Sequence, residues 1–189
     1  MLSKFLRLSK TARRLRRFRK DQGGVAAVEF AMLLPLMVTL YIGCVEVSQA
    51  ISVDRKVSLT ARAVADLVAQ GSNNLSSSDI NDILAAAKAV VAPYPDSVLQ
   101  VTVSSVQIDA NKKATIEWSK SLNGTARSKG APVTLDEGLL IPNSWLIWAE
   151  VSYVYKPTIG YVLTGDLVLT DQIYMRPRNQ SGHVVYQGT

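Results

Sequence analysis

Residues 25–47 read VAAVEFAMLLPLMVTLYIGCVEV, a stretch that is almost entirely apolar. A helix needs about 20 such residues to cross a bilayer core that is about 30 Å thick. This stretch therefore predicts a transmembrane helix over residues 25–47. The alternative is a buried core helix of a globular domain, and the residues that precede the stretch decide between the two.

The segment before the apolar stretch is strongly basic. Nine of the 21 Lys and Arg residues precede Gly24, whereas the rest of the chain carries 12 basic and 14 acidic residues. Such a run could bind nucleic acid, form a solvated tail or flank a membrane segment on its cytoplasmic side. The apolar stretch that follows favours the third reading. We predict a basic cytoplasmic leader over residues 1–24 and no nucleic-acid partner.

The same charge pattern predicts the orientation of the chain. The positive-inside rule places the N-terminus in the cytoplasm and exports everything beyond the span. The predicted location is the bacterial inner membrane, crossed once, with the C-terminal domain in the periplasm or outside the cell. A cleaved secretory signal fits less well, because its apolar core would be about 7–15 residues long and would end at a small-x-small site. The only cysteine, Cys44, cannot form an internal disulfide and is interpreted as a small apolar residue of the span.

Two carboxylates interrupt the apolar stretch. Glu29 lies near the cytoplasmic end and Glu46 near the outer end, a separation of about 26 Å along a helix. Both could reach an interface, and we expect water to solvate Glu46 there. The alternative for Glu29 is a cationic partner, because acids inside a membrane are costly and usually functional.

The residues around Glu29 favour that alternative. Gly23-Gly24 ends the basic leader, four apolar residues follow, and Glu29 and Phe30 come next. Pro35 and the tetrapeptide Gly43-Cys44-Val45-Glu46 lie further along the stretch. This arrangement resembles the type IV prepilin processing motif. Over residues 18–60 it is similar, more narrowly, to the TadE-like pseudopilins of the tight-adherence (Flp) pilus.

The resemblance implies a partner for each unusual residue. It implies that a prepilin peptidase cuts between Gly24 and Val25. It also implies that Glu29 pairs with the N-terminal ammonium of a neighbour, either the major pilin or another minor pilin or assembly protein. Such pairing is physically reasonable, since a carboxylate in hydrocarbon is strongly favoured when it meets a compensating charge. Pro35 lacks a backbone donor and is expected to kink the helix.

The function implied by the resemblance is that of a minor pseudopilin or assembly component of a tight-adherence pilus. A protein of another class remains as the alternative. It would be a bitopic inner-membrane protein whose exported domain binds an envelope partner or ligand.

Beyond the span, the sequence predicts an α+β fold. Apolar residues recur at helical spacing at Val57, Ala61, Val64 and Val68, so the long transmembrane helix continues into an amphipathic helix that ends before Gly71. A second helix is predicted from Ser78 to Val91. Strands are predicted at Val98–Asp109, Ala114–Lys120, Leu146–Tyr155 and Leu167–Met175.

The amphipathic helix is expected to pack on a small exported domain, residues 48–178, with an antiparallel sheet of about four strands. Residues 179–189 are predicted to be a polar tail.

Enzyme chemistry is not predicted. The only histidine, His183, lies in the predicted tail, and the sequence has no Cys/His cluster, phosphate-binding loop or nucleophile elbow. We therefore predict no catalytic residue, no metal and no cofactor. One aromatic-rich stretch is interpreted as core and sheet packing, with a partner or sugar surface as the alternative. It comprises Trp145, Trp148, Tyr153, Tyr155, Tyr161 and Tyr174.

Overall fold

The computed structural model describes residues 23–71, 74–157, 160 and 164–188. The predicted basic leader up to residue 22 and the aromatic Tyr161 lie outside the described residues. The chain divides into two compact units, Met1–Val45 and Glu46–Thr189.

The described elements are two α-helices, seven strands and two short 3-10 helices, Asp96–Val98 and Glu137–Leu139. Helix α1 is followed by the short strand β1, helix α2, strands β2 to β6 of one sheet, and a last short strand, β7. Their bounds are α1 Gly23–Gln70, β1 Asn74–Leu75, α2 Ser77–Val91, β2 Leu99–Ile108, β3 Ala114–Leu122, β4 Pro132–Val133, β5 Ser144–Tyr155, β6 Leu167–Met175 and β7 Val185–Tyr186.

In the first unit, α1 exposes large apolar side chains over its whole described length. Met32 is 77% exposed and Leu40 is 61% exposed, as suits side chains that lipid would cover. Among the described residues, α1 is the one helix long and apolar enough to cross a membrane. Pro35 lies inside it, and the Thr39 hydroxyl donates to the Pro35 carbonyl at 2.9 Å. The kink expected at Pro35 stays a prediction.

In the second unit, α1 packs a stripe of small apolar residues into the core. Val57, Ala61, Val64 and Val68 are fully buried, which confirms the predicted amphipathic continuation. Val53 extends the stripe by one turn towards the N-terminus. Burying a side chain of this size contributes about 1.5–3 kcal/mol, so the stripe is a major part of what holds α1 in the domain.

The sheet is antiparallel and has five strands in the order β4-β3-β2-β5-β6. The four predicted strands are present, and a fifth, two-residue strand pairs with β3 at one edge. The fold prediction of an α+β domain with a long N-terminal helix is confirmed. Strand β5 places Ile147, Ala149 and Val151 on one face, buried with α1 and α2 in the main core.

The opposite face of the sheet carries a second, smaller core. Leu146 and Trp148 alternate with the residues of the main core along β5 and therefore point to the other side. Here they meet Val106 and Ile108 from β2, and the segment around Leu135 covers them. The sheet thus carries the main core on one face and a smaller core at one end of the other face.

A β-bulge in β3 supplies both cores from a single strand. Ser105 pairs with Trp118, but the next residue of β2, Val106, pairs with Ile116. Glu117 is the extra residue, and it turns Ile116 and Trp118 to opposite faces. This local shift aims the Glu117 carboxylate at the C-terminal segment.

The C-terminal segment, expected to be a polar tail, is partly built into the domain. Val184 is fully buried, and its carbonyl accepts a 2.8 Å hydrogen bond from the Trp118 indole. Strand β7 pairs in parallel with β1, and Arg178 forms a 2.8 Å ion pair with Asp66 of α1. The buried Val184 and these polar contacts therefore hold the C-terminal segment on the domain, although the segment is polar in composition.

Candidate functional site

The predicted processing site lies at the start of α1. Gly24 and Val25 are exposed, and a side chain added at Gly24 would meet open space. Glycine in a helix costs about 1 kcal/mol relative to alanine. No packing contact among the described residues requires a glycine at position 24. The fold therefore does not explain why this position lacks a side chain.

Glu29 lies one and a half turns further along α1. Its side chain is exposed, as are those of its neighbours Val28 and Phe30. An exposed acid surrounded by exposed apolar residues is unfavourable in lipid unless a cation approaches it. The structure places Gly24, Val25 and Glu29 together within the first two turns of one helix.

Glu46 differs from the sequence-based expectation. We expected water to solvate this carboxylate, but Glu46 is only 1% exposed and belongs to the second unit. It lies near Tyr155, whose pKa is raised first by burial and then by the Glu46 charge. The Tyr155 hydroxyl also donates to Gln49 at 3.4 Å. The expectation failed because the second unit begins at Glu46, at the end of the apolar stretch, and buries this residue near Tyr155.

The uncovered end of the second sheet face forms a polar groove of about 750 Å³. Strands β2, β5 and β6 form its floor, and the loop between β3 and β4 forms one wall. The lining side chains are mostly hydroxyls and amides. The groove residues are Gln100, Thr102, Thr125, Ala126, Arg127, Glu150, Val151, Ser152, Thr170, Asp171 and Gln172.

An ion pair fixes the wall of this groove to its floor. The Arg127 guanidinium makes a two-point contact with the Glu150 carboxylate, with Nη2 and Oε1 at 2.8 Å. It also lies 3.8 Å from the centre of the Trp148 ring. Trp148 in turn stacks on Tyr174 and donates to the Gln172 amide at 3.3 Å. The sequence marked Trp148 and Tyr174 as packing residues but gave no sign of Arg127, since its partners lie on distant strands.

His183 is a structural residue in the described domain. Its Nε2 lies 2.6 Å from Glu117 Oε1, and its ring stacks on Trp145 with the centroids 4.4 Å apart. Ser105 donates to the second oxygen of Glu117 at 3.0 Å. His183 therefore holds the C-terminal segment, a role that the sequence could not show because Glu117 is 66 positions away.

No group of three or more His, Cys, Asp or Glu side chains suited to a metal occurs in the part of the chain that the structure describes.

Comparison with known families gives one match. Residues 24–66 match the family model described as TadE-like protein. The matched segment begins at the predicted cleavage glycine, includes Glu29, Pro35 and Glu46, and ends within α1. The resemblance predicted from the sequence is confirmed for this segment, and the sheet lies outside it. Comparison with curated proteins and with solved structures found no match.

Proposed function

We propose that the chain is a minor pseudopilin or assembly component of a tight-adherence pilus, anchored in the bacterial inner membrane by α1. The single observation that carries the proposal is the TadE-like match over residues 24–66. The exposed apolar surface of α1 in the first unit supports a membrane anchor. The domain after Glu46 would then be exported, and it would prime or tip the fibre or stay in its base.

Processing by a prepilin peptidase between Gly24 and Val25 is part of the proposal. Gly24 meets no neighbour that a side chain would displace, so its lack of a Cβ is explained by a protease that must approach the backbone closely. The cut would leave Val25 as the new N-terminus and Glu29 as the fifth residue of the mature chain.

Glu29 is proposed to bind the N-terminal ammonium of a neighbouring subunit, either the major pilin or another minor pilin. Its exposure on α1 leaves the carboxylate accessible to another chain. In hydrocarbon this pairing would set the register between the two subunits, because an axial shift would strand both charges.

The second candidate is a bitopic membrane protein whose exported domain binds an envelope partner or ligand. The polar groove on the uncovered sheet face supports it. Processing separates the two candidates, because a simple bitopic protein would keep its leader.

The test is N-terminal sequencing of the membrane-extracted protein from cells that hold a prepilin peptidase. We expect the sequence Val-Ala-Ala-Val-Glu. Gly24→Val should block the cut, because a branched side chain hinders the approach of the protease, whereas the matched control Gly23→Val should still be cut. An intact leader in the wild-type protein would contradict the pseudopilin proposal and leave the bitopic one.

A further inference from the structure

The lining of the polar groove carries one positive and two negative side chains, and each is already engaged within the protein. Arg127 and Glu150 are the charged pair at its wall, and they neutralise each other through their two-point contact. The guanidinium is also engaged by the Trp148 ring. The Asp171 carboxylate accepts the backbone N–H of Gln172 at 2.8 Å. A phosphate would therefore gain little here, since an anion needs a positive charge that is not already paired. A metal ion would find one remaining carboxylate, Asp171, where it needs several oxygen ligands.

The groove is also a poor site for an apolar ligand. Ala126 is the one aliphatic side chain on the groove side of the lining, because the Val151 side chain lies in the main core on the opposite face of the sheet. Lipid tails and the apolar side chains of a docking peptide need hydrophobic subsites, which most small-molecule pockets supply.

Neutral hydrogen-bonding groups surround the groove instead. Gln100 and Thr102 come from β2, Ser152 from β5, and Thr170 and Gln172 from β6. Each amide both donates and accepts, and so does each hydroxyl. Two of these groups are held in position, since Thr102 is hydrogen-bonded to Ser121 at 2.9 Å and Gln172 to Trp148. A floor of this kind matches a ligand with many neutral hydroxyls.

We propose that this groove binds a neutral saccharide, with Gln100 and Gln172 as its principal hydrogen-bonding residues. Its volume of about 750 Å³ lies within the usual range for small-molecule sites. The inference rests on the export that the proposed function entails, because glycans are envelope and surface molecules. It adds a ligand to the exported domain and is independent of processing at Gly24.

The test uses the full-length protein in nanodiscs, since maltoside detergents would compete for the groove. Chitotetraose, cellotetraose and maltotetraose are titrated separately by calorimetry, and inorganic phosphate and octanoate serve as charged and apolar probes. We expect at least one tetrasaccharide to bind with a dissociation constant of about 1 mM or tighter, and neither phosphate nor octanoate to bind.

Matched glutamine variants locate the binding. Gln100→Ala and Gln172→Ala should each weaken saccharide binding roughly fivefold, the loss expected for one neutral hydrogen bond. Gln107→Ala removes the same exposed side chain from the same strand, β2, outside the groove, and should leave binding unchanged.

Three results would overturn the proposal. The first is that no tetrasaccharide binds at about 10 mM. The second is that Gln107→Ala weakens saccharide binding as much as the groove variants do. The third is that phosphate or octanoate binds and the sugars do not. None of these results would alter the outcome of the sequencing experiment, so the proposed function can stand or fall separately.

Discussion

His183 and Glu117 meet at 2.6 Å between Nε2 and Oε1, although 66 positions separate them in the chain. Their side chains are only about a fifth exposed. The contact joins the bulge of β3 to the C-terminal segment. The same segment places Val184 in the main core, so the pair helps to complete the hydrophobic interior.

The coupling between these two residues can be measured by a double-mutant cycle. Glu117→Gln and His183→Phe remove the charge and the ring nitrogens while the stack on Trp145 is kept. We expect a coupling of about 1–2 kcal/mol in urea unfolding, because the pair is shielded from water. Lys156 and Asp166 are the control, since their 3.6 Å pair is more than half exposed on both sides. That pair should couple by less than about 0.5 kcal/mol. An equal coupling energy in the two cycles would contradict the proposal that His183 holds the C-terminal segment.

Two tryptophans should respond differently to the same substitution. The Trp118 indole donates to the Val184 carbonyl, whereas the buried Trp145 Nε1 has no hydrogen-bond partner among the described residues. Trp118→Phe leaves a buried carbonyl unsatisfied, but Trp145→Phe removes an unsatisfied donor. We expect Trp118→Phe to be the more destabilising by about 1–3 kcal/mol in denaturant unfolding. Similar losses for the two variants would show that cavity formation outweighs the hydrogen bond.

The start of α2 should lose stability in acid. Ser76 and Asp79 form a capping box, and hydrogen bonds from the Ser76 backbone N–H and then from its hydroxyl lower the pKa of the Asp79 carboxyl. A pKa lower in the folded than in the unfolded state stabilises above the unfolded value and loses that effect as pH falls through the folded value.

Asp79→Ala should therefore lower stability at pH 5 to 7, and the difference from wild type should shrink as pH drops below about 4. Urea unfolding at several pH values provides the measurement. Asp82→Ala, in the same helix but outside the capping box, is the control and should cost less at pH 7. A loss for Asp79→Ala that persists unchanged at pH 2.5 would rule out the charge as its cause.

The two glutamates of the apolar stretch should fail in different assays. If Glu29 pairs with an ammonium in hydrocarbon, Glu29→Gln strands that charge, which costs about 3–5 kcal/mol. Association with pilus partners would fall by roughly two to four orders of magnitude. We expect this variant to insert and to be processed, but to lose co-purification with pilins and pilus yield. The second unit should melt as it does in the wild type, because Glu29 is exposed in the first unit.

Glu46→Ala should instead destabilise the second unit, to which Glu46 belongs. The residue is 1% exposed, and its removal leaves a polar cavity beside Tyr155. We expect the free energy of unfolding to fall by about 1–3 kcal/mol, which a lower melting temperature would reveal. The control is the neighbouring Val47→Ala, at a 43% exposed position, and it should change the melting temperature little. A wild-type pilus yield in Glu29→Gln would contradict the pairing of Glu29 with an ammonium. A wild-type melting temperature in Glu46→Ala would show that the buried carboxylate does not contribute to the stability of the domain.

The sequence by itself determined the parts of this protein that depend on neighbours along the chain. Apolar length predicted the span of α1, and helical spacing predicted the buried stripe at Val57, Ala61, Val64 and Val68. Residue composition predicted a strand at Leu146–Tyr155, which lies within the observed β5, Ser144–Tyr155. The Gly24 and Glu29 spacing predicted the TadE-like match. Each of these signals lies within one helix or strand, and local patterns encode them directly.

Only the tertiary structure decided the parts that join distant segments. Glu46 is buried in the domain with Tyr155 of β5 near it, and Arg127 forms a groove wall because Glu150 and Trp148 lie beneath it. His183 belongs to the domain because a one-residue bulge turns Glu117 towards it. No periodicity records such contacts. They arise when strands far apart in the chain pair in one register, and a shift of one residue would turn the strand partners Glu117, Glu150 and Tyr155 to the other face.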